Sequence, residues 1–324
     1  MTTTPQAPLG TTYGPTATPR DVLGDLRLEG KIAIVTGGYA GVGLETTRAL
    51  ASAGATVVVP ARSPEKARAA LAGIAGVEVD DLDLSVPTSV AAFARRFLDS
   101  ARPLAMLVNN AGVGFIPLTR DARGFESQLA TNHLGHFQLT LQLWPALIRA
   151  QGARVVALSS RGHVRSGVDF DDPHFHRRPY DKWLAYGQSK TANALFALGL
   201  DARGRAHGIR AFSVHPGAVI TDLVRSMSEE EVRAAVARSN TQSPLKSAEQ
   251  GAATTVWCAV SPDLAGMGGV YCEDCDIAAA VSGDAPGVTG VRPWAMDRAA
   301  AERLWTLSEA WCGVTAPPTC TKDA

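Results

Sequence analysis

Short apolar runs alternate with helical patterns along this 324-residue chain, and no other feature constrains the fold as strongly. The runs are nearly continuous in apolar residues, as in strands of a parallel sheet that is covered on both faces. A helical pattern follows each of the first runs, which indicates βαβ units with right-handed crossovers. The predicted strands are 31–36, 55–60, 77–84, 104–110, 153–160, 209–216 and 268–272. The sequence therefore predicts an α/β fold, a doubly wound parallel seven-stranded sheet (Rossmann fold) with strand order 3-2-1-4-5-6-7.

The alternating region contains no internal repeat and no linker, so we expect a single domain over residues 29–311. Residues 1–28 are rich in Thr, Pro and Gly and show little apolar periodicity. We expect them to form a mobile tail that docks only near 22–28. Residues 312–324, which include two prolines, predict a second tail.

The composition limits the partners of the chain. It has 31 basic and 31 acidic side chains and a formal net charge of +0, so nothing predicts nucleic-acid binding. No apolar run approaches the roughly 18 residues of a membrane span, and the first residues lack the features of a secretory signal. These observations predict a cytoplasmic protein.

Cys272 and Cys275 form a CxxC without the second ligand pair that zinc needs, so we expect reduced thiols and no metal.

A glycine-rich turn, TGGYAGVG at 36–43, follows the first strand and opens a helix. Glycines there permit close backbone approach to a pyrophosphate, and the helix N-terminus offers N–H groups to the phosphates. A tight βα turn without a ligand is the alternative. The second strand ends at Ala61 and Arg62, where an acidic residue would bind a ribose 2′-hydroxyl. Arg62 instead favours a 2′-phosphate, hence NADP(H) over NAD(H), although a solvated surface arginine is the alternative.

The motif YGQSK at 186–190 lies in a helix predicted at about 183–205. Tyr186 and Lys190 are four residues apart, so both side chains can reach one cleft. A free tyrosine has a pKa of about 10, and a nearby ammonium group lowers that pKa by about 1–3 pH units. The pair is suited to exchange a proton with a developing alkoxide. Tyr180 is a competing tyrosine, but Leu184 stands four residues after it.

Taken in order, the motifs of the chain resemble the single-domain short-chain dehydrogenase/reductase family. The segments GLETTRALASAGA, LDLS and AYGQSKTANALFAL are typical of the branch of retinol dehydrogenases and WW-domain oxidoreductases. The resemblance covers about residues 22–311, and the ordered set is far more specific than YxxxK alone. The motifs are glycines 37, 41 and 43 after Thr36, Asp83-Leu84, NNAG at 109–112, Asn132, Ser160, YGQSK at 186–190, and HPG at 215–217 with Thr221.

This resemblance implies an alcohol dehydrogenase or carbonyl reductase that transfers a hydride between NADP(H) and a small-molecule alcohol or carbonyl. It implies that Ser160 binds the substrate oxygen, that Tyr186 and Lys190 perform the acid–base chemistry, and that Asn132 holds a water of a proton relay. A cofactor-sensing protein that lacks turnover is the alternative, although such proteins commonly lose the tyrosine or lysine. The expected cofactor-binding residues are Gly37, Tyr39, Ala40, Gly41, Val42, Gly43, Arg62, Asp83, Leu84, Asn110, Tyr186, Lys190, Val219 and Thr221.

One departure from the family pattern lies between the predicted catalytic serine and tyrosine, which are 26 residues apart. This is about twice the common spacing. The inserted segment, 161–182, carries His163, His174 and His176, so a metal site is an alternative. Its polar, loop-like sequence favours a solvated loop that forms one wall of a substrate pocket. We expect substrate specificity to reside in this segment and in the loops 114–120 and 222–245.

The resemblance also implies a homodimer or homotetramer. The family pairs two long helices across a two-fold axis, and the corresponding helices here are predicted at about 121–150 and 183–205. Both helices need a covered face, and the N-terminal tail or the inserted segment could block that pairing.

Overall fold

A computed structural model of the chain describes residues 3–242, 245–287 and 289–316. The strands are β1 (Ile32–Val35), β2 (Thr56–Ala61), β3 (Val77–Asp81), β4 (Met106–Asn109), β5 (Arg154–Leu158), β6 (Arg210–His215), β7 (Ala218–Val219), β8 (Leu245–Lys246), β9 (Val270–Glu273) and β10 (Asp276–Ile277). The α-helices are α1 (Pro19–Leu23), α2 (Gly41–Ser52), α3 (Pro64–Ala70), α4 (Pro87–Asp99), α5 (Ser127–Leu129), α6 (Gly135–Gln142), α7 (Trp144–Arg149), α8 (Lys182–Gly204), α9 (Glu229–Gln242), α10 (Ala248–Val260) and α11 (Arg298–Cys312).

The main sheet has the order β10-β9-β6-β5-β4-β1-β2-β3. The predicted seven parallel strands and their order are confirmed, with β9 as the seventh. An eighth strand, β10, runs antiparallel to β9 at the edge. The sequence did not predict it because it has only two residues and follows a reversal at Asp274 and Cys275, both at positive φ (51° and 59°). A separate small sheet pairs β7 with β8.

Both faces of the main sheet are buried within one domain. Adjacent residues of β1 point to opposite faces: Val35 packs in the core beneath α2 and α10, and Ile34 packs in the core beneath α4 and α6. In β4, Val108 packs in the same core as Val35, and Leu107 packs in the same core as Ile34. This double burial explains why the strands read as continuous apolar runs rather than as alternating ones.

The outer face of α8 is covered by α11 of the same chain. Phe196 stacks on Trp305 with ring centroids 6.0 Å apart, and Leu195 and Leu304 share one apolar cluster. The helix predicted at 121–150 begins at Ser127 and is interrupted by a π-helical turn, Ala130–Leu134. The helix faces that the sequence predicts to contact a second copy of the chain are therefore buried within this chain.

The N-terminal segment docks more widely than expected. The Gln6 side-chain amide donates to the carbonyls of Tyr271 and Ala278, at 2.9 and 2.7 Å. It also accepts the Tyr271 N–H at 2.9 Å. Docking only near 22–28 is thus too narrow a prediction, because a side-chain amide can satisfy the backbone groups of a strand 265 residues away. Of the second predicted tail, residues 317–324 lie outside the described ranges.

The inserted segment 161–182 is only in part the solvated loop that the sequence predicts, since residues 172–175 are buried. The Asp172 carboxylate accepts backbone N–H groups of His176, Arg177 and Arg178. His174 stacks on Phe125 at 4.5 Å. Asp172 can be buried because its hydrogen bonds are made locally, which hydropathy does not reveal.

The parts of the chain that the structure describes lack both a metal-binding cluster and a membrane-spanning helix. There, no three His, Cys, Asp or Glu side chains lie close enough together to hold a metal ion. Within the same ranges, no helix combines the length and apolarity that crossing a membrane requires. Cys272 and Cys275 are buried free thiols in β9 and the turn that follows it.

Candidate active site

A cavity of about 610 Å³ lies beyond the carboxyl ends of β1, β2, β4, β5 and β6. Ligands of doubly wound folds bind at this edge, where neighbouring crossovers diverge. The cavity brings together every predicted cofactor-binding residue and Ser160, whereas Asn132 lies behind its wall. Those lining residues are Gly37, Tyr39, Ala40, Gly41, Val42, Gly43, Arg62, Asp83, Leu84, Asn110, Tyr186, Lys190, Val219 and Thr221.

The glycine-rich turn forms one end of the cavity. Gly37 and Gly41 adopt φ of +64° and +51°, which favour glycine. A Cβ atom on Gly43 would lie 2.4 Å from the Gly37 carbonyl oxygen, so only glycine lets α2 approach the turn this closely. Ala40 precedes α2 and provides no side-chain cap. The first N–H groups of α2 therefore have no side-chain partner from Ala40, and the turn leaves space for a pyrophosphate.

A buried hydrogen-bond network fixes this turn. The Thr36 hydroxyl accepts the N–H groups of Asn110 and Ala111, at 2.9 and 3.0 Å. It contacts His136 Nε2 at 2.8 Å, and His136 Nδ1 contacts the Asn132 carbonyl at 2.9 Å. Burial lowers the pKa of His136 to about 4, so the neutral ring donates from Nδ1 and accepts the Thr36 hydroxyl. His136 was not predicted from the sequence, although it stands one helical turn after Asn132.

The far end of the cavity is bounded by the residues that follow β2 and β3. Arg62 follows the last residue of β2 and is exposed at the rim. The Asp83 carboxylate accepts the Ser85 N–H and hydroxyl, at 2.9 and 2.6 Å, and thereby shapes the turn. That turn carries Leu84 to the cavity wall.

The predicted catalytic residues meet at the centre of the cavity, where α8 crosses the end of β5. Ser160 and Tyr186 both line the cavity, and the Ser160 side chain acts on the Tyr186 hydroxyl by lowering its pKa. Lys190 Nζ donates to the Leu158 carbonyl at 3.0 Å and lies over the Tyr186 ring, 5.6 Å from its centroid. Tyr180, the competing tyrosine, instead donates to the Ile116 carbonyl.

Asn132 lies in the π-helical turn and is fully buried. Its Oδ1 accepts the Val113 N–H at 2.8 Å, and its Nδ2 donates to the Ser189 hydroxyl at 2.9 Å. A Cβ atom on Gly112 would lie 3.1 Å from Asn132 Oδ1 and 3.6 Å from Lys190 Nζ. Gly112 thus keeps the space between the amide and the ammonium group open.

Burial dominates the electrostatics of the centre. It raises the pKa of Tyr186 to about 12, against the smaller effect of the Ser160 side chain, which lowers that pKa. It also lowers the pKa of Lys190 to about 8. The pKa of Tyr186 is therefore raised rather than lowered as predicted, because removal of the side chain from water is the dominant effect.

The remaining wall comes from the three loops in which specificity is expected and is largely apolar, although Arg161, Arg165, Asp222 and Arg225 also line it. The Phe115 ring lies 4.5 Å from that of Tyr186 and 4.4 Å from that of Trp183. The inserted segment contributes mainly its first residues, 161–165. Helix α9 closes the side, joined to the start of α8 by an ion pair of Lys182 and Glu231. Further apolar lining residues are Val113, Val164, Leu223, Met227, Val232 and Val236.

Comparison with known proteins agrees with this geometry. Residues 31–232 match the family model described as short chain dehydrogenase. A probable oxidoreductase of Streptomyces antibioticus is 46% identical over 292 residues, 86% of this chain and 96% of that protein. Human retinol dehydrogenase 12 is 38% identical over 291 residues, 88% of this chain and 87% of that protein. Among solved structures, the Pseudomonas aeruginosa RhlG/NADP active-site complex superposes with a TM-score of 0.62 at 25% identity, covering 76% of this chain and 95% of that one.

The fold, the glycine turn and the Tyr186–Lys190 pair define an oxidoreductase that uses a nicotinamide cofactor. The chain belongs to the short-chain dehydrogenase/reductase family, in its retinol dehydrogenase-like branch.

Proposed function

We propose that the chain transfers a hydride between NADP(H) and an alcohol or carbonyl substrate, with Tyr186 as the proton donor and acceptor. The placement of Ser160 and Tyr186 in one cavity carries this proposal. It places two hydroxyl groups together in a cavity that also contains the glycine turn.

The residues present fit a dinucleotide. The positive φ of Gly37 and Gly41 and the space beside Gly43 form a cradle that side chains would fill. The exposed Arg62 at the rim supports a 2′-phosphate, and Ala61 offers no carboxylate to a 2′-hydroxyl. The solved relative from Pseudomonas aeruginosa is described as an NADP complex. When bound, the nicotinamide ring supplies or accepts the hydride.

The protein side chains then have distinct roles. Ser160 donates a hydrogen bond to the substrate oxygen, and Tyr186 exchanges a proton with the same oxygen. Because burial keeps the Tyr186 hydroxyl protonated, it is a ready donor for carbonyl reduction. Lys190 binds the nicotinamide ribose, and Asn132 holds a relay water in the space that Gly112 leaves open. Val219 and Thr221 hold the carboxamide.

The lining also constrains the substrate. Phe115 and Trp183 lie beside Tyr186, and the side chains that α9 contributes to the wall are apolar. Burial of apolar surface favours a bulky apolar carbonyl or alcohol over a charged one.

A paired assay tests this function. Oxidation of NADPH is followed with aldehydes, ketones, steroids and retinoids, and cofactor binding is titrated in parallel by fluorescence. Turnover of at least one carbonyl is expected. Bound NADPH with no turnover on any of these classes would contradict the proposal and identify a cofactor-sensing protein.

A further inference from the structure

The backbone carbonyl of Ser160 is held by three donors. The His163 N–H donates to it at 3.0 Å, His163 Nδ1 lies 2.8 Å away, and the Tyr271 hydroxyl donates at 3.2 Å. A carbonyl with three donors is unusual, since it has two lone pairs. His163 and Tyr271 are 1% and 0% exposed, and neither belongs to the cavity lining.

The neighbours of His163 determine which ring nitrogen carries the hydrogen. The backbone N–H of Arg292 points at Nε2 at 3.2 Å, and a backbone N–H can only donate. Nε2 must therefore accept, and the hydrogen resides on Nδ1, facing the Ser160 carbonyl. Burial lowers the pKa of His163 to about 4, so the ring stays neutral near pH 7 and the Nδ1 donor persists.

The turn that contains Ser160 also contacts the Tyr186 ring. The Gly162 N–H donates to Ser160 Oγ at 3.0 Å, which leaves the hydroxyl hydrogen and one lone pair of Ser160 for other partners. A Cβ atom on Gly162 would lie 2.8 Å from Tyr186 Cε1, so the turn packs directly on the ring. A shift of this turn would displace Ser160 Oγ and the Tyr186 ring relative to each other.

We infer that His163 and Tyr271 are positioning residues for the reaction, which act by fixing the Ser160 carbonyl and through it the Ser160 hydroxyl. This inference rests on the proposed function. Tyr271 lies in β9, beyond the residues that match the family model. A residue that follows the family match thus supports the turn that contains Ser160, from outside the cavity lining.

Three variants test the two donors. Tyr271→Phe removes the hydroxyl and keeps the ring. His163→Gln places an amide near the Nε2 position and loses the Nδ1 donor, whereas His163→Asn keeps an N–H donor near Nδ1. We expect kcat to fall by about tenfold to 10²-fold in Tyr271→Phe and His163→Gln, because misplacement of a reacting group by about 1 Å costs that much. His163→Asn should recover most of the lost kcat, and the Kd for NADPH should stay within about twofold.

Ser308→Ala is the matched control, since it removes another hydroxyl that contacts a buried imidazole, that of His133, at 2.8 Å. It should lower thermal stability to a similar degree and leave kcat unchanged. Unchanged kcat in both Tyr271→Phe and His163→Gln, or equal loss in His163→Asn and His163→Gln, would overturn the inference. A wild type that binds NADPH without turnover overturns the proposed function together with it, whereas an active wild type with unaffected variants overturns the positioning role alone.

Discussion

Lys190 Nζ donates to the carbonyl of Leu158 at 3.0 Å, within two residues of Ser160. The lysine is therefore held by the strand that leads to Ser160, the proposed catalytic serine. It is only 4% exposed, so its charge is maintained without the hydration that an ammonium group ordinarily has.

This burial should reduce stability in a pH-dependent way. The folded-state pKa of Lys190 is lowered from 10.5 to about 8, which corresponds to a cost of up to about 3 kcal/mol for the charged form. Below pH 8 both states carry the charge and the folded state bears the full cost. Between pH 8 and about 10.5 the folded state releases the proton first, so stability rises with pH.

Lys190→Met should accordingly be more stable than wild type at pH 7. We expect a gain of about 2 kcal/mol, after subtraction of about 1 kcal/mol for the lost hydrogen bond. Urea unfolding at pH 7 and pH 10 measures it, and the gain should shrink or vanish at the higher pH. A variant that is less stable than wild type at pH 7 would contradict the assigned burial cost.

Tyr186→Phe should abolish most turnover and leave cofactor binding nearly intact. The ring still packs between Gly162 and Phe115, and only the hydroxyl is lost. Turnover of the substrate found in the screen should fall by about 10²–10⁴-fold, as for other acid–base groups. Steady-state kinetics and fluorescence titration of NADPH measure both effects. Turnover that survives in Tyr186→Phe would end the proposed mechanism.

Arg62→Asp should shift cofactor preference from NADP(H) to NAD(H). Charge-assisted bonds to a 2′-phosphate are worth about 1.5–3 kcal/mol, which is one to two orders of magnitude in affinity at about 1.4 kcal/mol per tenfold. The ratio of kcat/KM for the two cofactors measures it. Arg95→Asp is the control, because it makes the same charge change at an exposed site outside the cavity. Equal use of both cofactors by the wild type would remove the basis of this prediction.

The ion pair between Lys182 and Glu231, at 2.6 Å, should help to hold α9 over the cavity. Both side chains are partly exposed and screened by solvent, so the pair contributes only weakly. Glu231→Gln should therefore raise the KM for the carbonyl by no more than about fivefold and leave the KM for NADPH unchanged. Glu229→Gln on the same helix breaks the more exposed pair with Arg233 and should change neither value. Equal effects of the two substitutions would argue against a role in closure.

The chain should be monomeric at micromolar concentration. Trp305 and Leu304 of α11 cover the outer face of α8 within one chain, so no large apolar face of α8 is left for a second copy. Light scattering coupled to size exclusion measures the mass in solution. A dimer or tetramer would show that another surface pairs, or that α11 is displaced.

The features of the fold and of the site that depend on a local sequence pattern could be predicted. Strands buried on both faces read as continuous apolar runs, and residues four apart on a helix reach one cleft, so the sheet order and the Tyr186–Lys190 pair were accessible. The ordered motifs placed Arg62, Asp83 and Thr221 at one cavity, although their roles stay predictions.

What the sequence could not supply depends on contacts between distant segments. Burial of His174 in the inserted segment follows from its stacking on Phe125, and the pKa of Tyr186 follows from desolvation rather than from its spacing to Lys190. The role of Tyr271 requires knowing that β9 passes behind the catalytic turn. No short sequence motif predicts the burial of this segment, the pKa of Tyr186 or the position of Tyr271.

The pairing of Gln6 with Tyr271 has a consequence for biosynthesis. Gln6 is synthesised 265 residues before Tyr271, so this pairing can form only after the whole intervening chain has been made. Until then Tyr271, in the part of β9 that β10 does not pair, presents an uncovered strand edge, the kind of surface that recruits other chains. A protein shortened to begin at residue 29 would retain the whole proposed cavity, yet it would carry that edge permanently. We expect it to aggregate more readily than the full chain, for reasons of solubility rather than of chemistry.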